Sequence, residues 1–169
     1  MSNTPNPLFS LPCRAYDLLV SLANHLQSPL LLLLRLTWGI QFAQTGYGKL
    51  HSIEKVTGFF TDLHIPFPMA NAYLVGWTEM VGGTFLALGL FSRPTGIALS
   101  TTLVVAYITS EQEALQKLFS FTDIDPFLTA APFLFLLASI IVVAFGPGAY
   151  SIDYWIARAK GREWKSPSF

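Results

Sequence analysis

Long apolar stretches, each close to the length of a membrane-crossing helix, alternate with short polar segments along this chain. The pattern predicts four spans, at about residues 29–50, 70–91, 93–109 and 126–145. Pro29 suits the first turn of the first span, and Pro132 is expected to bend the fourth. The predicted fold class is therefore all-α, with a bundle of four transmembrane helices.

The segments outside the spans carry weaker helical patterns. In residues 14–27, leucines recur at helical spacing among polar residues, which predicts an N-terminal amphipathic helix in the membrane interface. Residues 53–63, preceded by Ser52, predict a short amphipathic helix that covers the mouth of the bundle, and residues 111–125 predict an acidic loop. We thus expect a tail with an interfacial helix (1–28), a membrane domain (29–149) and a basic cytoplasmic tail (150–169).

The composition supports a membrane protein. Hydrophobic residues make up 52% of the chain and charged residues 12%, whereas soluble domains carry about 25% charged residues. The formal net charge is zero, so nothing indicates a nucleic-acid partner. Cys13 is the single cysteine, which excludes an internal disulfide and a Cys-x-x-Cys redox pair.

The distribution of basic residues predicts the orientation. With four spans, both termini lie on one side of the membrane, together with the turn between spans two and three. That side carries more Lys and Arg (Arg14, Arg93, Arg158, Lys160, Arg162 and Lys165) than the other (Lys49, Lys55 and Lys117). The positive-inside rule therefore predicts a multi-pass protein of the bacterial inner membrane with both termini in the cytoplasm.

The first two spans each carry a face unsuited to lipid. One face of the first span joins two cations to two glycines, at Arg35, Gly39, Phe42, Gly46 and Lys49. One face of the second span is made of small residues around a carboxylate, at Ala72, Gly76, Glu79, Gly83 and Ala87. Small residues at this spacing allow helices to approach closely, so both faces are expected to point into the bundle.

Glu79 is the acidic residue inside the spans, and a carboxylate at membrane depth needs a partner, a proton or a function. We predict a polar cluster around it, with Gln41 and Gln44 closer to it in depth than Arg35. Glu79 and Arg35 are the candidate catalytic residues. Gln41, Gln44 and Lys49 are the candidate cofactor-binding residues.

Two interpretations of this cluster remain open. It can simply lock the first two spans together, or it can be a site where a protonated Glu79 donates to a quinone carbonyl or relays a proton. Lys49, His51 and His64, near the outer mouth, are either solvated or part of a quinone or proton-entry site. No spacing of His, Cys or acidic residues predicts a metal site.

Several motifs together resemble the DoxX family of small four-helix membrane proteins. The motifs are Arg35 with G-x-x-F-x-x-x-G-x-x-K at 39–49, the loop Phe59–Pro66, E-x-x-G-G-x-x-L-x-x-G-L-x-x-R at 79–93, and G-P-G-x-x-S-I-D at 146–153. The resemblance implies a membrane subunit. Some members of the family are associated with thiosulfate:quinone oxidoreductase, with thiol-redox complexes or with quinone detoxification.

The function expected from these observations is a quinone-linked redox subunit of the membrane. A non-catalytic anchor or scaffold of a larger complex and a small transporter are the alternatives, and intrinsic catalysis is left open. The candidate cofactor is quinone, although the sequence requires none. The expected partners are the lipid bilayer, a protein partner subunit and further copies of this chain.

Overall fold

The computed structural model describes the backbone of residues 7–161 and the side chains of residue 16 and residues 18–161. This part of the chain contains α-helices and no strand, which confirms the all-α prediction. The helices are α1 (Pro7–His51), α2 (Ile53–Asp62), α3 (Pro68–Leu88), α4 (Ser92–Ser110), α5 (Gln112–Phe119), α6 (Asp125–Thr129), α7 (Pro132–Phe145) and α8 (Ile152–Ala159).

The long helices pack in sequence around a narrow core. The most extensive contact joins α1 to α3; α3 also packs on α4, α4 packs on α7, and α7 returns to contact α1. Phe42, Leu86, Leu99, Leu103 and Val142 form the buried core cluster. The helix α2 lies against α3, outside this core.

The predicted small-residue faces are buried where α1 meets α3. A side chain on Gly39 would lie 2.8 Å from the carbonyl oxygen of Gly83, and one on Gly46 would lie 2.7 Å from that of Gly76. The two backbones therefore touch, because glycine leaves no side chain between them. Glycines at these positions set the distance and the register of the two helices.

The first helix differs from the prediction, because α1 is one helix of 45 residues rather than an interfacial helix followed by a span. Pro29 lies within it. A proline removes one backbone hydrogen bond from a helix but does not by itself require the helix to end. Residues 1–6 of the predicted tail lie outside the described chain, as do the side chains of Arg14, Ala15 and Asp17.

Among the described helices, length and apolar composition single out α1, over Leu18–His51, as able to cross a membrane. The helix α7 is apolar but has only 14 residues. The predicted fourth span is divided, since α6 ends at Thr129 and α7 begins at Pro132. Pro132 occupies the first turn of α7, where its missing N–H removes no helix hydrogen bond, so the proline begins a new helix instead of bending one.

The predicted acidic loop contains a helix, α5. Glu113 and Lys117 pair there one turn apart, with 2.8 Å between the lysine Nζ and the carboxylate. This hydrogen bond lowers the pKa of Glu113 and raises the pKa of Lys117. Opposite charges at this spacing favour helix, which explains a helix in a segment with few apolar residues.

The C-terminal segment also contains a helix, α8, where the sequence predicted only a basic tail. Ser151 begins it, and the serine hydroxyl accepts a hydrogen bond of 3.1 Å from the amide of Tyr154. Asp153 in its first turn reaches another element: its two carboxylate oxygens accept hydrogen bonds from the amides of Phe91 (2.9 Å) and Ser92 (2.8 Å). Asp153 therefore caps the start of α4. Arg162, Trp164 and Lys165 of the tail lie outside the described residues.

Replacing Asp153 with alanine should destabilise the fold, because two amides at the start of α4 would lose their acceptor. Loss of a helix cap costs about 0.5–2 kcal/mol, and we expect the upper part of that range. Thermal unfolding of the purified protein in detergent measures the loss. Asp62→Ala, at an exposed position at the end of α2, is the matched control and should change stability by less than about 0.5 kcal/mol. Equal losses in the two variants would contradict the capping role.

Candidate ligand-binding site

The helix α2 and the turn after it form the cover of a cavity. The amide of Leu63 donates to the carbonyl of Phe59 where α2 ends, and His64 follows with a left-handed φ of 57°. The side chain of Asn71 then holds the turn by donating to the carbonyl of Pro66 at 2.6 Å. A non-glycine residue at positive φ is uncommon and strained, so the cover is held in a specific conformation rather than an extended one.

The cavity has a volume of about 650 Å³ and lies between the cover, α3, α4 and the C-terminal end of α1. Its walls are mainly apolar and include Val56, Phe59, Phe60, Leu63, Val75 and Val105. The hydroxyl-bearing residues Thr102, Thr109 and Ser110 line the α4 side. The volume and the apolar lining are typical of small-molecule sites.

An ion pair lies in the wall of this cavity. Lys49 of α1 donates a hydrogen bond to Oε1 of Glu79 on α3, and both residues line the cavity. Glu79 is 5% exposed, and its second oxygen, Oε2, is buried without a hydrogen-bond partner. Oε1 of Glu79 is thus paired with Lys49, whereas Oε2 is available to a ligand.

Two further basic side chains line the cavity, those of Lys55 and His64. The lining therefore contains two lysines and one histidine but a single carboxylate, that of Glu79. The net charge of the cavity wall is positive even when Glu79 is ionised. This electrostatic bias favours a ligand that carries partial negative charge on oxygen.

The structure separates the residues that the sequence had placed in one cluster. Glu79 and Lys49 meet, but the side chains of Gln41 and Gln44 are exposed on α1 and do not line the cavity. Arg35 is fully buried at the level of Gly89, ten residues along α3 from Glu79, which is about 15 Å. The predicted polar cluster of these four residues around Glu79 is therefore not formed.

Arg35 belongs to a second polar region, at the other end of α3. Its Nη2 donates to the carbonyl of Tyr150 at 2.6 Å, while Nε and Nη1 are buried without partners. The backbone of Gly89 lies against the guanidinium, and Asp153 contributes a compensating negative charge. Arg35 therefore joins α1 to the turn after α3 and to the loop before α8.

Sequence reasoning left out some residues of the cavity. The sequence does not predict Lys55 or Asn71 as part of a site, and it leaves two interpretations of His64 open, because nothing in their local spacing indicates a site. The useful signal was the amphipathic pattern of residues 53–63, which predicted a helix covering the bundle mouth. Asp153 was noted only as part of a motif, since its contact with α4 joins positions more than 60 residues apart.

The described part of the chain thus combines a membrane-length α1, an all-helical fold and an ion pair in the wall of a ligand-sized, mainly apolar cavity. The chain belongs to the DoxX family, whose family model matches residues 30–112. This confirms the resemblance seen in the sequence motifs, and it supports a location in a membrane.

Two relatives cover most of the chain. A Bacillus subtilis (strain 168) protein named "Putative oxidoreductase CatD" is 31% identical over 131 residues, which are 76% of this chain and 88% of that protein. A Mycobacterium tuberculosis (strain ATCC 25618 / H37Rv) protein named "Uncharacterized membrane protein Rv3486" is 30% identical over 131 residues, which are 74% of this chain and 80% of that protein. No solved structure matches the chain significantly.

Proposed function

We propose that this chain is a quinone-binding subunit of a redox complex and that the cavity under α2 holds the quinone ring. The observation that carries the proposal is the buried, unpartnered Oε2 of Glu79, whose other oxygen is paired with Lys49, in the wall of a mainly apolar cavity. The relative named as an oxidoreductase supports redox chemistry.

The ion pair offers two complementary hydrogen-bonding groups. An ionised carboxylate oxygen can only accept, so Oε2 calls for a ligand hydroxyl, whereas the ammonium of Lys49 has further protons to donate to a ligand oxygen. A quinol hydroxyl fits the first group and a quinone carbonyl fits the second. In this proposal the quinone carbonyl accepts from Lys49, and Glu79 acts as an acceptor rather than as a protonated donor.

The proposed role of the chain in the reaction is to bind the ring and to handle protons. Conversion of a quinone to its quinol takes up two electrons and two protons. The electrons would come from a reduced redox protein that partners this chain. The protons would pass through the Lys49–Glu79 pair, with the imidazole of His64 in the cover as a further group that can carry a proton. Arg35, far from the cavity, is assigned a positioning role in this proposal.

The proposed topology has four crossings of the bacterial inner membrane, by α1, α3, α4 and the α6–α7 pair, with both termini in the cytoplasm. The lengths of α3 (21 residues) and α4 (19 residues) support it, since about 20 residues cross the hydrocarbon core. Arg93, Arg158 and Lys160 then lie on the cytoplasmic side. In this orientation the cavity opens toward the outer side of the membrane.

Glu79→Gln tests the assignment. The change removes the charge of the acceptor and should weaken quinol binding about 10- to 100-fold, because a hydrogen bond to a charged group contributes about 1.5–3 kcal/mol. The measurement is quenching of tryptophan fluorescence in nanodiscs by a short-chain benzoquinol and by the corresponding quinone. Quinone binding should fall less than quinol binding, since the carbonyl is assigned to Lys49.

The matched control is Glu54→Gln, which removes an exposed carboxylate of α2 that does not line the cavity. It should bind both ligands as the natural chain does, and thermal unfolding should show that each variant is folded. If the natural chain binds neither ligand, the proposed function fails. If Glu79→Gln and Glu54→Gln bind equally well, the site is wrongly assigned.

A non-catalytic anchor subunit is the second candidate function. The described side chains of residues 16 and 18–26 are all exposed, although Leu18, Leu19, Leu22 and Leu26 are among them. An apolar helix segment that does not pack on its own chain favours a partner protein. Affinity purification with the whole chain and with Leu18, Leu22 and Leu26 changed to serine distinguishes the two functions, because an anchor should lose its partner while quinone binding stays unchanged.

A further inference from the structure

A second polar stripe runs along α1, on the side away from α3. Thr37, Gln41, Gln44 and Gly48 are separated by four, three and four residues, so they share one face of the helix. The buried face of α1 has the same spacing, and each of its members lies two residues before a member of the stripe. These buried residues are Arg35, Gly39, Phe42 and Gly46. Two residues turn a helix by about 200°, so the two faces are opposite. All four residues of the stripe are exposed, within the segment that is long and apolar enough to cross a membrane.

The two glutamine amides of this stripe differ from the exposed threonines of α3 and α4. Thr84 and Thr101 satisfy their hydroxyls on their own helices, by donating to the carbonyls of Met80 and Ile97 at 2.8 and 2.9 Å. Gln41 and Gln44 make no side-chain hydrogen bond within the described chain. Lipid offers no partner for an amide, so this face is costly to leave in contact with hydrocarbon.

We propose that the stripe is the contact face of a homodimer, in which α1 of one copy packs on α1 of a second copy around a two-fold axis normal to the membrane. Two copies inserted with the same topology place equivalent residues at the same depth. A primary amide has both donors and an acceptor, so Gln41 and Gln44 each complement their own equivalent across the axis. No charged residue lies on the stripe that would call for a partner of opposite charge.

Space on the stripe also suits a second helix. Nothing lies within 4 Å of a side chain built on Gly48, whereas one built on Gly46 meets the backbone of α3. Gly48 is thus a small residue on the open side of the helix, where it allows a second backbone to approach. The residues that line the cavity do not include any of the stripe, so the dimer and the ligand site use different faces. This inference does not depend on quinone binding.

The test uses the full-length protein with Gln41→Leu and Gln44→Leu combined. Single-molecule photobleaching in liposomes, over a range of protein-to-lipid ratios, gives the dimer fraction. We expect the natural chain to dimerise and the double variant to dimerise about tenfold more weakly, because hydrogen bonds between membrane helices each contribute modestly. Thermal unfolding should be unchanged, since leucine suits a lipid-facing position.

Thr101→Val is the matched control, because it removes an exposed polar group of α4 that is already satisfied within its own helix. It should leave the dimer fraction unchanged. A second measurement places Gly48→Cys in a Cys13→Ser background, where oxidation should link two copies through the stripe. A natural chain that stays monomeric at every ratio would overturn the proposal. So would a dimer that the double variant leaves intact, or a stripe that instead retains a different membrane protein during purification.

Discussion

Replacing Gly46 with alanine should disrupt the α1–α3 contact and lower the free energy of unfolding by about 3 kcal/mol or more. The added methyl group would lie 2.7 Å from the carbonyl oxygen of Gly76 and 2.8 Å from the Cα of Met80. Both atoms belong to the backbone of α3, which cannot rotate away as a side chain can. Overpacking of this kind costs about 1–3 kcal/mol, and more where backbone meets backbone.

The same change should also weaken the ligand site. Lys49 lies three residues after Gly46 on α1, and Glu79 lies three residues after Gly76 on α3. Any separation of the helices at the glycines therefore moves the two members of the ion pair apart. We expect quinol affinity to fall with stability in Gly46→Ala, measured by fluorescence quenching and thermal unfolding in detergent.

Gly48→Ala is the control for this prediction. It lies two residues away on the same helix, and an alanine there meets no atom within 4 Å. Alanine is about 1 kcal/mol more favourable than glycine in a helix interior, so Gly48→Ala should leave the fold of the single chain as stable as before or more stable, measured in detergent at a dilution where the protein is monomeric. If Gly46→Ala unfolds at the same temperature as Gly48→Ala, close backbone packing is not what holds α1 to α3.

The buried faces of α1 and α3 were predicted correctly because both depend on the periodicity of a single helix. The buried set on α1, from Arg35 to Gly46, repeats at helical spacing, and so does the set on α3 from Ala72 to Gly83. A carboxylate and small residues on one stripe could be assigned to the packed side before any contact was known. The amphipathic character of α2 is likewise a local property, and it predicted the cover of the cavity.

The partner of Glu79 could not be predicted in the same way. Which residue of α1 faces Glu79 depends on the register of two antiparallel helices, and that register follows from backbone contacts at Gly39 and Gly46. The approximate ends of the predicted spans place Gln41 and Gln44 nearest to Glu79 in membrane depth. Gln41 and Gln44, however, each lie two residues after a buried residue of α1, Gly39 and Phe42. Because two residues turn a helix by about 200°, the two glutamines lie on the opposite face.

Helix boundaries that depend on contacts between distant parts of the sequence were also not predicted. The continuous α1 was not foreseen, because Pro29 suits a helix start but does not impose one. The start of α4 depends on Asp153, 61 and 62 positions further along the chain from Ser92 and Phe91. Interactions at such separation leave no local pattern, so the region around Arg35, Gly89 and Asp153 was seen only as scattered motif residues.

Gly89→Ala should be the second strongly destabilising substitution, with a loss of about 3 kcal/mol in the free energy of unfolding. Gly89 ends α3 with a left-handed φ of 69°, a conformation that costs an L-residue about 1–2 kcal/mol. The added methyl group would also collide with the guanidinium of Arg35 and lie 2.6 Å from Cβ of Ser151. The buried guanidinium cannot move outward without losing its hydrogen bond to the carbonyl of Tyr150.

Gly161→Ala separates the two causes, because Gly161 has a similar φ of 65° but no atom within 4 Å of an added side chain. It should show only the backbone cost, about 1 kcal/mol, in the same thermal unfolding experiment. The excess loss in Gly89→Ala then measures the contact with Arg35. Quinol affinity of the folded fraction should be unchanged in both variants, since Gly89 is about 15 Å along α3 from Glu79. A specific loss of quinol binding in folded Gly89→Ala protein would instead show that Arg35 acts on the ligand.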